Sequence, residues 1–193
     1  AYFIEKQHYI DRVSEDAVPF IDSKIRTERW YGKAEYSHYG EAWVLNSAFV
    51  VNRESAQSNN YQANESSRLL YGPNTHFIWQ PKSWRLNAGA RYDFGPGANV
   101  FVPDFSMAFI GTNWELGAGA ARIFRYPDLN ELYWQPGGNE QLAPELGVTF
   151  NAYFVRRFND GRAAFTLSPF VKAMESLIVW EPVFGHFSAH NAH

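Results

Sequence analysis

Apolar and polar residues alternate with period two along almost the whole chain. The clearest stretch runs from Trp84 to Phe94. Trp84, Leu86, Ala88, Ala90, Tyr92 and Phe94 fall on one side, and Arg85, Asn87, Gly89, Arg91 and Asp93 on the other. Successive side chains of an extended strand point to opposite faces, so this pattern predicts a strand with one apolar and one polar face. Its length matches the 9–11 residues or so of a tilted strand that crosses a bilayer. A strand of a soluble sandwich alternates too, with its polar face in water.

The signature recurs. Trp43, Leu45, Phe49 and Val51 oppose Asn46, Ala48 and Asn52, and Leu146, Val148, Phe150, Ala152 and Phe154 oppose Gly147, Thr149, Asn151 and Tyr153. Trp114, Leu116, Ala118 and Ala120 oppose Glu115, Gly117 and Gly119, while Phe165, Leu167 and Val171 oppose Thr166, Ser168 and Lys172. Pro169 interrupts the last run, because proline cannot donate to a strand ladder. Short turns are expected at Tyr39–Glu41, Pro81–Ser83, Gly111–Asn113 and Asn159–Gly161; the last holds an Asp-Gly pair suited to positive φ. Longer polar connections are expected at 12–22, 53–65, 95–104 and 125–144. Short turns at one end and long loops at the other form the transmembrane-barrel arrangement. The pattern predicts an all-β, antiparallel transmembrane β-barrel of about nine strands, with a further strand from near Phe187. No segment of ordinary helix length has a 3.6-residue period.

Composition sharpens this picture. Aromatic residues make up 18% of the 193 residues, with 7 Trp, 11 Tyr and 16 Phe. Aromatics favour strands and collect at membrane–water interfaces. Trp30, Trp43, Trp79, Trp84 and Trp114 fit such girdles. The 46% apolar and 19% charged content excludes intrinsic disorder. Charge is −3 and scattered, which speaks against a nucleic-acid partner. Cysteine is absent, so thiolate metal sites and a cysteine nucleophile are excluded. The opening residues, Ala1 to Lys6, do not read as a signal peptide, and no apolar run approaches the roughly 20 residues of a membrane helix.

Residues 124–145 carry a more specific signal. They read Phe-Arg-Tyr-Pro-Asp-Leu-Asn-Glu-Leu-Tyr-Trp-Gln-Pro-Gly-Gly-Asn-Glu-Gln-Leu-Ala-Pro-Glu. This resembles the "FRAPxLNELY…GNxxLxPE" segment of TonB-dependent outer-membrane receptors. Phe124, Arg125, Pro127, Leu129, Asn130, Glu131, Leu132 and Tyr133 match its first half; Gly138, Asn139, Leu142, Pro144 and Glu145 match its second. Ala-Gly-Ala-Arg-Tyr-Asp at 88–93 and Ser-Leu-Ile-Val-Trp at 176–180 resemble the flanking strands, so the resemblance covers roughly 67–182. Tyr126, Asp128 and Ala143 depart from the family's usual Ala, Thr and Lys. The resemblance implies a barrel of about 22 strands around an N-terminal plug that engages the energy-coupling protein TonB. Residues 1–193 would supply nine to ten strands of that barrel, without the plug or the closing strands. It further implies an outer-membrane site in a Gram-negative bacterium, with lipid, the TonB system and a small chelate as partners. No cofactor and no enzymatic chemistry are implied. The cargo would be a scarce, bulky nutrient, a siderophore–iron complex or a cobalamin. A self-contained small barrel or pore, and a soluble carbohydrate-binding β-sandwich, are the alternatives.

Candidate sites follow. Tyr133 and Trp134, flat rings with polar tips, are the first candidates for ligand contact, with Asn130 and Glu131 beside them. Phe124, Arg125, Pro127, Leu129, Leu132, Gly138, Asn139, Leu142, Pro144 and Glu145 are expected to shape the loop. Asp128, Glu131, Glu140 and Glu145 form a carboxylate group. It lacks Ca²⁺-loop spacing and reads as a solvated acidic loop. His186, His190 and His193 read as loop histidines rather than metal ligands. Arg85, Asn87, Arg91, Asp93 and Lys172 face the polar side, to line a path or to pair with one another.

Overall fold

The computed structural model describes residues 2–11, 21–61, 63–183 and 186–192. It consists of long antiparallel strands in chain order: β1 (Tyr2–Asp11), β2 (Ile21–Tyr39), β3 (Trp43–Ser58), β4 (Glu65–Trp79), β5 (Trp84–Gly95), β6 (Ala98–Ile110), β7 (Trp114–Arg125) and β8 (Glu145–Phe158). A five-residue helix, α1 (Leu129–Tyr133), interrupts the connection between β7 and β8. After a 3-10 turn at Asn159–Gly161 come β9 (Ala163–Leu167), β10 (Phe170–Glu175), β11 (Leu177–Val183) and β12 (His186–Ala192). One ten-stranded sheet runs in sequence order from β1 to β8, with β9 and β10 both on β8; β11 and β12 form a separate hairpin.

The register gives the sheet two chemically distinct faces. Cross-strand neighbours Trp43–Trp79, Trp79–Leu86 and Leu86–Met107 share one face, as do Phe77–Ala88, Ala88–Phe105 and Phe105–Ala120. Among the described residues no element covers this face. Phe105 stays 49% exposed, Leu116 52% and Phe150 56%. A soluble sandwich would bury these rows against a second sheet; here they form a belt for lipid. The opposite face carries Asn46, His76, Asn87, Ser106, Asn151 and Glu115, a polar lining for a watery lumen. Among the described residues no helix is long and apolar enough to cross a membrane; the strands are the spanning elements.

Trp43, Trp79, Trp84 and Trp114 all lie beside short turns. Trp84 sits edge-on to Phe109 (5.0 Å between ring centres), which stacks on Trp114 at 5.3 Å. They make one rim of the aromatic girdle. The Asp-Gly turn adopts positive φ at Asn159, Asp160 and Gly161, as expected. Pro169 splits the last strand of the sheet, yet β9 and β10 keep a single register on β8 across the gap.

Two connections are shorter than the sequence suggests. Residues 98–104 belong to β6, so only Pro96 and Gly97 turn between β5 and β6. Asn99, Pro103 and Asp104 read as loop formers, but Pro103 stands where pairing with β7, which begins at Asp104, has not yet started, so its missing N–H disrupts nothing on that side. The Arg122 guanidinium there donates to the Phe101 carbonyl at 2.8 Å in place of a ladder bond. Likewise β3 reaches Ser58 and β4 starts at Glu65, which narrows the 53–65 connection to its middle. Most of the expected 12–22 connection, and His193, lie outside the described residues. Close approach fixes one glycine of the wall: a Cβ on Gly72 would lie 1.8 Å from the Tyr92 carbonyl oxygen.

Candidate functional site

The 126–144 connection folds back over the loop end of the sheet. Arg125, the last residue of β7, organises it. Its Nη1 and Nη2 meet the two oxygens of Glu131 at 2.9 and 3.0 Å, and its Nε donates to Glu145 Oε2 at 2.6 Å. The planar guanidinium fork suits two carboxylates at once. Asp128 lies at 3.3 Å from the same group. Three of the four carboxylates that the sequence groups together therefore converge on one arginine; Glu140 does not. A single guanidinium thus serves all three, and among the described residues no set of His, Asp and Glu side chains is placed to hold a metal ion.

The carboxylates go on to hold backbone. Glu131 accepts from the Asp128 N–H at 2.6 Å, closing the first turn of α1. Glu145, buried, accepts from the Ile178 N–H at 2.9 Å and so ties β8 to the β11–β12 hairpin. Arg125 thereby links β7, α1, β8 and the hairpin.

Partners from distant strands complete the site. Glu54 on β3 holds Arg68 on β4 by ion pairs of 2.6 and 2.7 Å, and Arg29 on β2 at 2.8 Å. Arg68 also donates to the Pro127 carbonyl, and the Tyr61 hydroxyl donates to Asn130 Oδ1. Tyr61, Ala56 and Leu129 make a small buried cluster with Tyr133 and Trp134 packed on it. Burial, and the Asp128 charge, push the Tyr61 phenol up to about 12. Tyr126 fills a second cluster with Val100, Val102 and Phe124, its hydroxyl donating to the Ala98 carbonyl at 2.7 Å.

The second half of the motif docks on the hairpin. Leu142 packs with Ile178 and Ala189, and Leu132 beside them. Asn139 donates to the Ala189 carbonyl at 3.3 Å and accepts from the Gln141 N–H at 2.9 Å. Asn191 brackets Ala143, accepting from its N–H at 2.8 Å and donating to its carbonyl at 3.0 Å. Gly137, at φ +117°, lets its carbonyl accept from the Ala189 N–H at 2.8 Å, and a Cβ there would strike the Phe187 carbonyl oxygen at 1.8 Å. Gly138 donates to the Trp134 carbonyl at 2.6 Å.

The predicted site residues are thus brought together, in one rim above the lumen. Asn130 and Glu131 are engaged by Tyr61 and Arg125, whereas Tyr133 and Trp134 are half-buried, leaving part of each ring open. Sequence reasoning missed Tyr61, Arg68 and Glu54. The last two carry opposite charges on facing positions of β3 and β4, a signal available once that pairing is known. The polar wall below is internally paired. Arg85 meets Glu115 at 3.2 Å, Tyr153 donates to Glu115 at 2.6 Å, Arg91 meets Asp93 at 2.8 Å and Asn87 donates to Ser106 at 3.0 Å. A recess of about 540 Å³ lies between this rim and the inner face of β1–β3, lined in part by Arg29, Glu54, Arg68 and Asn130.

No curated protein matches the chain. The fold recurs in solved structures. A siderophore receptor of Pseudomonas aeruginosa, PirA, matches at TM-score 0.73 and 20% identity, over 89% of this chain and 35% of that one. The ferric enterobactin receptor PfeA of the same organism matches at 0.76 and 14%, over 98% and 36%. The FrpB iron transporter of Neisseria meningitidis matches at 0.72 and 14%, over 99% and 36%. The chain spans just over a third of the length of each. The family model described as TonB dependent receptor-like, beta-barrel, matches residues 3–192. With its two-faced open sheet and the rim built on Arg125, the chain belongs to the TonB-dependent receptor family, as a portion of its outer-membrane β-barrel.

Proposed function

We propose that the chain forms the wall and part of the outer rim of a receptor that imports a ferric siderophore-like chelate, energised through TonB. The observation that carries this reading is the rim itself. A charged clasp and two apolar clusters hold the half-open rings of Tyr133 and Trp134 over a polar lumen. Bulky chelates with apolar or aromatic arms suit flat amphipathic rings. The siderophore and iron proteins among its structural neighbours favour iron over cobalamin as cargo. In this reading Asn130 and Glu131 hold the loop that presents the rings, and Phe124, Arg125, Pro127, Leu129, Leu132, Gly138, Asn139, Leu142, Pro144 and Glu145 shape that loop. A plug domain elsewhere in the receptor fills the lumen, and its displacement by TonB releases the cargo inwards. Binding and transport require no covalent chemistry, and the family's members are transporters rather than enzymes.

The test uses the intact receptor in an outer membrane deleted for other iron receptors. Radio-iron loaded on enterobactin should accumulate, and removal of TonB should abolish the accumulation. Accumulation of cyanocobalamin alone would reassign the cargo. Uptake that persists without TonB would make the barrel a passive pore.

A further inference from the structure

Asp128, at the head of α1, is the one member of the Arg125 clasp that stands in the open. Its side chain is 68% exposed, against 13% for Glu131 and 9% for Glu145. Its contact is also the longest, 3.3 Å against 2.6, 2.9 and 3.0 Å for the bonds of the other two. Glu131 and Glu145 between them already engage all three nitrogens of the guanidinium. Asp128 therefore adds little attraction, and it sets a like charge against Glu131 in the same turn. The loop is bonded to the wall on either side of this point, by Arg68 at the Pro127 carbonyl and by Tyr61 at Asn130. Repulsion at Asp128 acts between those two anchors.

The charged groups around Asp128 come from several elements. Beside Glu131 of α1 stand Arg125 of β7 and Glu145 of β8, with Arg68 of β4 and Glu54 of β3 already paired to each other. Arg29 of β2 holds Glu54 as well, and the 59–61 turn brings the Tyr61 phenol. Glu5 and Glu28 line the same recess as Asp128. Among these described groups the carboxylates outnumber the guanidiniums. Partial desolvation, and then the Glu131 charge, raise the Asp128 carboxyl above its ordinary value; Arg125 and Arg68 pull the other way without cancelling them. A raised value means that the folded loop takes up the proton more readily than the unfolded one. The stability so gained is whole below the ordinary aspartate value of about 4 and is lost as pH rises through the higher folded value.

We propose that the 126–144 loop is a pH-sensitive strap: uptake of one proton by Asp128 in mild acid relieves the crowded carboxylates and draws the loop more firmly onto the wall. Glu131 and Glu145 then share Arg125 without a third claimant, and the anchors at Pro127 and Asn130 are no longer pushed apart. The consequence for cargo rests on the function proposed above: a firmer α1 holds the rings of Tyr133 and Trp134 in one pose, so a chelate is gripped best in mild acid.

The test is hydrogen exchange on the intact receptor, expressed as protection factors so that the pH dependence of intrinsic exchange drops out. Protection of 126–144 should rise roughly two- to fivefold between about pH 7.5 and about pH 5, the worth of one exposed charge contact. Asp128→Asn keeps the shape and the capping ability of the residue while removing its charge. It should be well protected at both pH values and show no step. Glu140→Gln, which removes an acid of the same loop outside the clasp, should keep the step. A flat profile in the unsubstituted receptor would overturn the proposal, as would a step that survives in Asp128→Asn or vanishes in Glu140→Gln. Mobility of unheated against heated samples checks that each variant is folded. Binding of ferric enterobactin is read separately on the same samples. A normal exchange step in a receptor that binds no iron chelate would support the strap and remove the cargo reading.

Discussion

At the scale of single residues, Arg125 concentrates the most interactions in the fewest atoms. Removing it strips Glu131 and Glu145 of the guanidinium they share. Arg125→Ala should cost about 2 kcal/mol locally, a figure reduced for the arginine's partial exposure. Hydrogen exchange should then show roughly 30-fold faster opening of 126–144, since 1.4 kcal/mol is a factor of ten. Arg125→Lys should recover only part of this, because one ammonium cannot fork to two carboxylates. Unchanged exchange in the alanine variant would refute the clasp. Tyr61 makes a pH prediction. Its folded-state value is raised, so its contribution to stability is whole below the ordinary tyrosine value near 10 and is lost as pH climbs from there to about 12. Exchange of the Asn130 region should accelerate over that interval, and Tyr61→Phe should remove the step. Gly137→Ala forces a Cβ against the Phe187 carbonyl oxygen at an unfavourable φ, and should loosen β12 by about 1–3 kcal/mol. Proteolysis of the 186–192 segment reads this out.

At the scale of elements, alternation decides what each strand tolerates. Phe105 and Ser106 are adjacent on β6 but point to lipid and lumen respectively. Phe105→Arg should destabilise the folded barrel by about 2–4 kcal/mol, the cost of arginine near mid-membrane, whereas a polar replacement of Ser106 stays close to neutral. Electrophoretic mobility of unheated against heated receptor measures the folded fraction; equal effects at both sites would invert the face assignment. This is also where the sequence was most legible. The run from Trp84 to Phe94 carries its two faces openly, and Pro169 marks its own interruption. The start of β6 was hidden, because Asn99, Pro103 and Asp104 have turn chemistry that pairing with β5 and the Arg122 side chain override. The carboxylate group was visible, but its purpose was not. In the sequence Arg125 is one more motif position, and Glu54, Tyr61 and Arg68 come from β3, β4 and the turn between them, some sixty to seventy residues upstream, beyond the reach of any local pattern.

At the scale of the whole molecule, the polar and apolar faces separate two tasks. Outer rows between aromatic rims fix the depth of the wall in the bilayer, while inner rows are cross-linked by ion pairs and hydrogen bonds that water alone would weaken. Extraction of the receptor should therefore need detergent, and high salt alone should leave it in the membrane; release by salt would contradict the lipid-facing belt. The rim hangs from this wall at several separate points: the end of β7, the start of β8, the Glu54–Arg68 pair and the 59–61 turn. A rigid scaffold with a loop pinned at several places suits a site that must receive a large ligand without collapsing on it.

The gap at Ser168–Pro169 constrains how this sequence can change over time. Because β9 and β10 resume on β8 in one frame, the two residues between them act as a spacer of fixed parity. Loss or gain of a single residue there would turn Val171 towards water and Lys172 towards hydrocarbon, while a change of two would leave every later side chain on its proper side. Variation in length at this seam is thus admissible only in even steps, whatever residues fill it.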